Sequence, residues 1–164
     1  MGIRSILFVL GDNEMRYQLG EYALLMYYAK QLNEANAKKF LYATTTENYY
    51  RALNGLDTDG YSDDDDTAHY EPQDIIDVIK FIEDELIPAL NAEPTNLLAK
   101  YGGMENFVKL YETEENFLDA LGLNDNEYYL DEPKQVAYAL EVFKNKFLQK
   151  SLDSSIPMES ILEH

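Results

Sequence analysis

The sequence predicts a mainly α protein: one compact helical domain of about six helices, with one or two short strands at residues 4–10 and 39–44 the α+β alternative. Three observations carry this. Apolar residues recur at helical spacing over most of the chain, Gly, Pro and Asx signals punctuate those segments, and only the two named stretches have the short β-branched or aromatic character of strands. At 164 residues and 46% hydrophobic content, the chain is long enough to bury a core without disulfides, and it has no cysteine to form one.

In chain order, Arg4 to Leu10 is a short apolar run that fits a buried strand. Gly11-Asp12-Asn13 follows as a turn that opens a helix over about Glu14 to Glu34. In that helix Leu19, Tyr22, Ala23, Met26 and Ala29 make one stripe, and Leu24, Leu25, Tyr28 and Leu32 a second. A helix apolar on two faces belongs at the centre of a core. For residues 39–44 two readings stay open. One is a strand followed by a helix capped within Thr44-Thr45-Thr46, and the other a helix unbroken from Ala35 to Leu53. The threonines favour the break, since they weaken helix interiors and cap well.

Pro72 begins the best-signalled helix, with Asp74 and Asp77 near its positive end and Ile75, Ile79, Ile82, Leu86 and Leu90 as its stripe, widened by Ile76 and Val78. Pro88 should kink or stop it near Ile87. Short helices follow: one capped by Thr95, one over Met104 to Tyr111 after Gly102-Gly103, and one opened by Thr113. A final helix starts at Asp131-Glu132-Pro133 with a stripe of Val136, Leu140, Phe143 and Phe147, and Lys144, Lys146 and Lys150 gather toward its end. Asp153 to Pro157 reads as a tail or a last short strand. The domain is taken as residues 1–161; Leu162-Glu163-His164 resembles the start of an affinity tag and is set aside.

Charge is distributed unevenly. Residues 1–56 carry six Lys/Arg and five Asp/Glu, whereas the remainder carries seven against twenty-six, for a net charge of −18. The step falls at Asp57 to Asp66, DTDGYSDDDD, within an acidic loop spanning residues 57–71. Such a charge opposes nucleic acid and anionic membranes as partners and favours a basic protein. No apolar run approaches the ~18 residues of a membrane span, and no secretory signal is recognisable, so the expected location is the cytoplasm.

The loop can be aligned with a calcium-binding EF-hand loop. With Gly60 at position 6, Asp57, Asp59, Tyr61, Asp63 and Asp66 fall at 3, 5, 7, 9 and 12. Position 1 is then Gly55, which has no side-chain oxygen, and position 12 is aspartate rather than the longer glutamate. A calcium-modulated binding module is therefore an alternative with two faults; otherwise no cofactor is expected. Asp66 and His69 have the spacing of a metal pair on a helix, but further ligands are not identifiable.

Signatures of catalysis are sparse. The G-x-G-x-x-G and G-x-x-x-x-G-K-[ST] phosphate cradles and the G-x-S-x-G elbow are all missing, and His69 is the only imidazole outside the tag-like end. A small carboxylate-dependent enzyme is the first alternative, although with so many acids a pair of carboxylates is not a specific signal. The leading expectation is a non-catalytic module whose acidic surface binds a basic protein. The candidate surface comprises Asp57, Asp59, Tyr61, Asp63, Asp64, Asp65, Asp66, Tyr70, Asp74 and Asp77, joined by Asp84 and Glu85.

Overall fold

Strand β1, Ser5–Leu10, is buried at nearly every position, and a strand without a polar face must be covered on both sides. It lies inside a four-stranded antiparallel sheet of order β2-β1-β4-β3, in a computed structural model that describes residues 5–43, 67–69, 72–112, 131–156 and 158–163. The residues after β1 depart from the helical expectation. Gly11 and Asp12 form a two-residue hairpin turn, with Leu10 opposite Asn13, and β2 runs over Asn13–Gln18. Gly11 has φ +58°, the left-handed value that the type II′ hairpin reserves for glycine in its first position. Glu14 and Arg16 are exposed while Met15 and Tyr17 turn inward, a period of two that a strand supports and a helix does not.

Helix α1 therefore begins later, at Leu19, and ends at Leu32. Every residue from Tyr22 to Ala29 is buried, so the two apolar stripes do place this helix at the centre of the core. Asn33 separates it from α2, Glu34–Ala43, and caps it: the Asn33 Oδ1 accepts the Asn36 backbone N–H at 3.2 Å. Residues 39–43 are thus helix rather than strand. Phe40 is buried while Lys38 and Lys39 are exposed, the pattern of one helical face rather than of alternation. The segment from Thr44 through Asp66, with its three threonines, lies outside the described residues, as do Tyr70 and the helix expected from Thr113.

Strand β3, Thr67–His69, pairs with β4, Glu159–Glu163, which also pairs with β1. β4 takes in the backbones of Leu162 and Glu163, opposite Ile6 and Ser5. Helix α3 comprises Pro72–Phe81, a π-helical turn Ile82–Leu86 and Ile87–Asn91 in unbroken succession. Pro88 does not stop it. Proline cannot donate to the carbonyl one turn back and its ring crowds that carbonyl; here the preceding turn is widened instead, with the Ile87 N–H bonding to the Ile82 oxygen. The expected stripe is buried throughout, together with Val78, but Ile76 is exposed.

Helix α4, Leu97–Lys100, has Asn96 rather than Thr95 at its N-cap position; Gly102 and Gly103, at φ +85° and +97°, separate it from α5, Met104–Glu112. Helix α6 joins Pro133–Phe143, a second π-helical turn Lys144–Leu148 and Gln149–Ser154. Ser155, at φ +57°, turns the chain back toward β4. Among the described residues, six helices and a small antiparallel sheet make the protein mainly α, as the periodicities require.

Phe143 marks where the layers meet. Its ring centroid is 4.7 Å from that of Phe8 in β1, 6.3 Å from Tyr17 in β2, 6.2 Å from Phe40 in α2 and 6.1 Å from Phe147 in its own helix. Lys144, one residue on, does not join a basic cluster at a helix end. It sits within α6, buried, with its ammonium 3.1 Å from Glu83 on the widened turn of α3 and 3.7 Å from Glu141.

Candidate functional site

Of the predicted acidic surface, Asp57, Asp59, Tyr61, Asp63, Asp64, Asp65, Asp66 and Tyr70 lie outside the described residues. Asp74 and Asp77 lie in the first two turns of α3, and Asp84 and Glu85 follow on the same helix. His69 belongs to a strand, paired with Glu159, so the helical spacing proposed for Asp66 and His69 does not hold at His69. Strand β3, Thr67–His69, falls inside the stretch 57–71 expected to be loop and stands directly after Asp66, where an EF-hand has its second helix. Among the described residues no group of three or more His, Asp or Glu is arranged to hold a metal ion.

The one-turn periodicity of α3 gathers Asp77, Phe81, Asp84 and Glu85 beside α2, where Asn36 and Lys39 face them across a cleft of about 220 Å³ that Lys80 also lines. Phe81, only 1% exposed, underlies this cleft. Both oxygens of Glu85 accept side-chain amides, from Asn33 Nδ2 at 3.3 Å and Asn36 Nδ2 at 3.1 Å. Asp77 accepts from Gln73 Nε2 at 3.0 Å through one oxygen and meets Lys39 Nζ at 3.4 Å through the other. Lys80 and Asp84 are exposed and form no ion pair among the described residues.

The chemistry of the donors matters. Asn33, Asn36 and Gln73 are neutral, so they orient carboxylates without cancelling their charge. Glu85 is thus oriented by two amides rather than paired with a cation. Sequence reading placed Asp77, Asp84 and Glu85 on an acidic face but missed Asn33, Asn36, Lys39 and Lys80. The signal was available once residues 34–43 are helix, because Asn36 and Lys39 then stand one turn apart on a single face.

A second polar cluster lies against the C-terminal half of α1. The Tyr28 hydroxyl donates to Glu93 Oε2 at 2.7 Å, and Lys100 Nζ approaches the same carboxylate at 3.3 Å. Burial, then the hydrogen bond to Glu93, pushes the Tyr28 hydroxyl well above its ordinary range. Tyr101 is pushed up as well, first by burial and then by the neighbouring Tyr27 and Glu93, and its hydroxyl has no hydrogen-bond partner among the described residues. Tyr27, Tyr101 and Phe107 pack edge to face or tilted at 5.1 to 5.9 Å, leaving no opening between rings. This cluster fastens the loop after α3 to α1.

Comparison with protein-family models, curated proteins and solved structures returned no match. No described helix is long and apolar enough to cross a membrane.

Proposed function

We propose that this chain is a non-catalytic cytoplasmic binding module whose acidic part engages the basic surface of a protein partner. The charge step carries the reading: the chain from Asp57 onward has a net charge of −19, against +1 for residues 1–56. The polar face of α3 supports it, with five carboxylates (Asp74, Asp77, Glu83, Asp84 and Glu85) against the single Lys80. Because Glu85 is held by amides and Asp77 in part by Gln73, the field these groups project is oriented before a partner arrives. Preoriented charge speeds encounter and lowers the ordering cost of binding. The same field opposes nucleic acid.

Two-carboxylate catalysis is less well supported. In the cleft, both oxygens of Asp77 and of Glu85 already meet side chains that orient them, and Asp84 alone of the three carboxylates has no such contact among the described residues. The test is a titration of Lys/Arg-rich peptides at 50 and 200 mM salt, with Asp63→Asn/Asp64→Asn/Asp65→Asn/Asp66→Asn and Asp74→Asn/Asp84→Asn variants and the distant, exposed Glu105→Gln as control. The expected result is an affinity that falls with salt and with either set of acidic substitutions, and not with Glu105→Gln. Equal affinity for all proteins, or binding indifferent to salt, would defeat the reading.

A further inference from the structure

We propose that the cleft between α2 and α3 is a binding site for a small zwitterion of the α-amino-acid class. This goes beyond the acidic-surface reading and rests on the lining of the cleft instead. That lining carries both signs: ammonium groups from Lys39 and Lys80, and carboxylates from Asp77, Asp84 and Glu85. A simple anion would meet three carboxylates there and a simple cation two ammoniums. A molecule carrying one charge of each sign finds a complement for both.

Two lining groups of opposite sign have no ion-pair partner among the described residues. Lys80 and Asp84 stand one helical turn apart on α3 yet do not pair with each other, so an incoming carboxylate and ammonium meet charges that no described group has taken. Lys39 is the next donor for the ligand carboxylate. Its pair with Asp77 is about half exposed on the lysine side, at 49% and 31%, and a pair so hydrated is given up at little cost. Glu85, fixed by Asn33 and Asn36, retains free lone pairs beside Asp84 for an ammonium. Asn36 also brings its amide to the cleft wall.

Size narrows the class. A cleft of about 220 Å³ lies below the ~300 Å³ at which drug-sized ligands begin, which favours a ligand of amino-acid size over a nucleotide.

The experiment is a two-dimensional ¹H–¹⁵N NMR titration of the full chain with glycine, alanine, arginine and glutamate, each beside its N-acetyl form and its carboxamide form. The blocked forms remove one charge apiece while keeping the rest of the molecule. Saturable shifts are expected in the Asn36 side-chain amide and in the backbone of residues 77–85, with millimolar dissociation constants for at least one free amino acid. Either blocked form, and either of Lys80→Met and Asp84→Asn, should weaken that binding at least about tenfold, the loss of one charge-assisted hydrogen bond. Both substitutions are at exposed positions, and an unchanged melting temperature confirms that each variant is folded. Absence of saturable shifts with all four amino acids overturns the proposal, as does equal binding of the blocked forms. The peptide titrations above use different probes, so either reading can fail while the other stands.

Discussion

Lys144 tests the energetics of this fold most directly, because its stem and its charge make separable contributions. Its side chain is 11% exposed, whereas Glu83 and Glu141 beside it are 49% and 52% exposed. At 3.1 Å, Coulomb's law with an effective dielectric of 20 gives about 5 kcal/mol. Half-exposed glutamates are screened by water, and the cost of desolvating the ammonium offsets much of the rest, so a coupling of about 1–2 kcal/mol between Lys144 and Glu83 is expected. The stem is the larger contributor: Lys144→Ala removes three buried methylenes at about 0.8 kcal/mol each, or about 2–3 kcal/mol. Lys144→Met keeps that packing and discards a desolvated charge, and should lie within about 1 kcal/mol of the parent protein. Urea unfolding at constant m-value separates these cases through the midpoint, and a double-mutant cycle of Lys144→Met with Glu83→Gln measures the coupling. If Lys144→Met costs as much as Lys144→Ala, charge rather than stem holds α3 and α6 together, and the reasoning is wrong. A coupling below about 0.3 kcal/mol would instead remove the ion pair from the account.

Three further outcomes are expected. Phe143→Ala should cost about 3–5 kcal/mol in urea unfolding, because Phe143 is fully buried where the sheet, α2 and α6 meet; a loss under 1 kcal/mol would show that its neighbours repack. Ser155→Gly should raise stability by up to about 1 kcal/mol, since serine there holds φ +57°, and a fall would mean that the cap bonds around Ser154 and Ile156 depend on its side chain. Raised tyrosine pKa values work against the fold at alkaline pH. The unfolded chain releases these protons near the ordinary value of 10.0, while Tyr28 and Tyr101 retain theirs in the fold. Their contribution is therefore complete below pH 10.0 and declines as pH rises above it; Tyr28→Phe/Tyr101→Phe should flatten the fall in melting temperature between pH 10 and 11.5, and a slope equal to the parent protein's would refute the linkage.

The buried faces were legible where apolar spacing was unambiguous. Ile75, Ile79, Ile82, Leu86 and Leu90 in α3, and Val136, Leu140, Phe143 and Phe147 in α6, are all in the core, because a stripe at period 3.6 has one place to go. The hairpin was less legible. Asn13-Glu14-Met15-Arg16-Tyr17-Gln18 contains only two inward residues, too few to separate a period of two from one of 3.6, while Gly11-Asp12 serves equally as a helix entry or as a hairpin turn. Register with β1, a long-range property, decides between them. Residues 39–44 failed for a related reason: Phe40, Leu41 and Tyr42 have strand character locally, but packing of α2 against α1 and α3 overrides that propensity.

The candidate site was half visible for a different physical reason. Carboxylates advertise themselves in a sequence, and Asp77, Asp84 and Glu85 were marked by charge alone. Their partners were not, because nothing local distinguishes an asparagine that holds a glutamate some fifty residues away from one that faces water. Yet those partners set the chemistry. Had Glu85 met two lysines in place of Asn33 and Asn36, its charge would be cancelled and α3 would offer a partner only packing area. With neutral amides it is fixed in direction and undiminished in charge, while Lys39 and Lys80 bring the opposite sign to the same cleft. A surface that served only solubility would gain nothing from ordering its carboxylates, since net charge acts at long range whatever their orientation. Orientation matters at contact distance, so the amide-held Glu85 beside an unpaired Asp84 points to recognition as the role of this face.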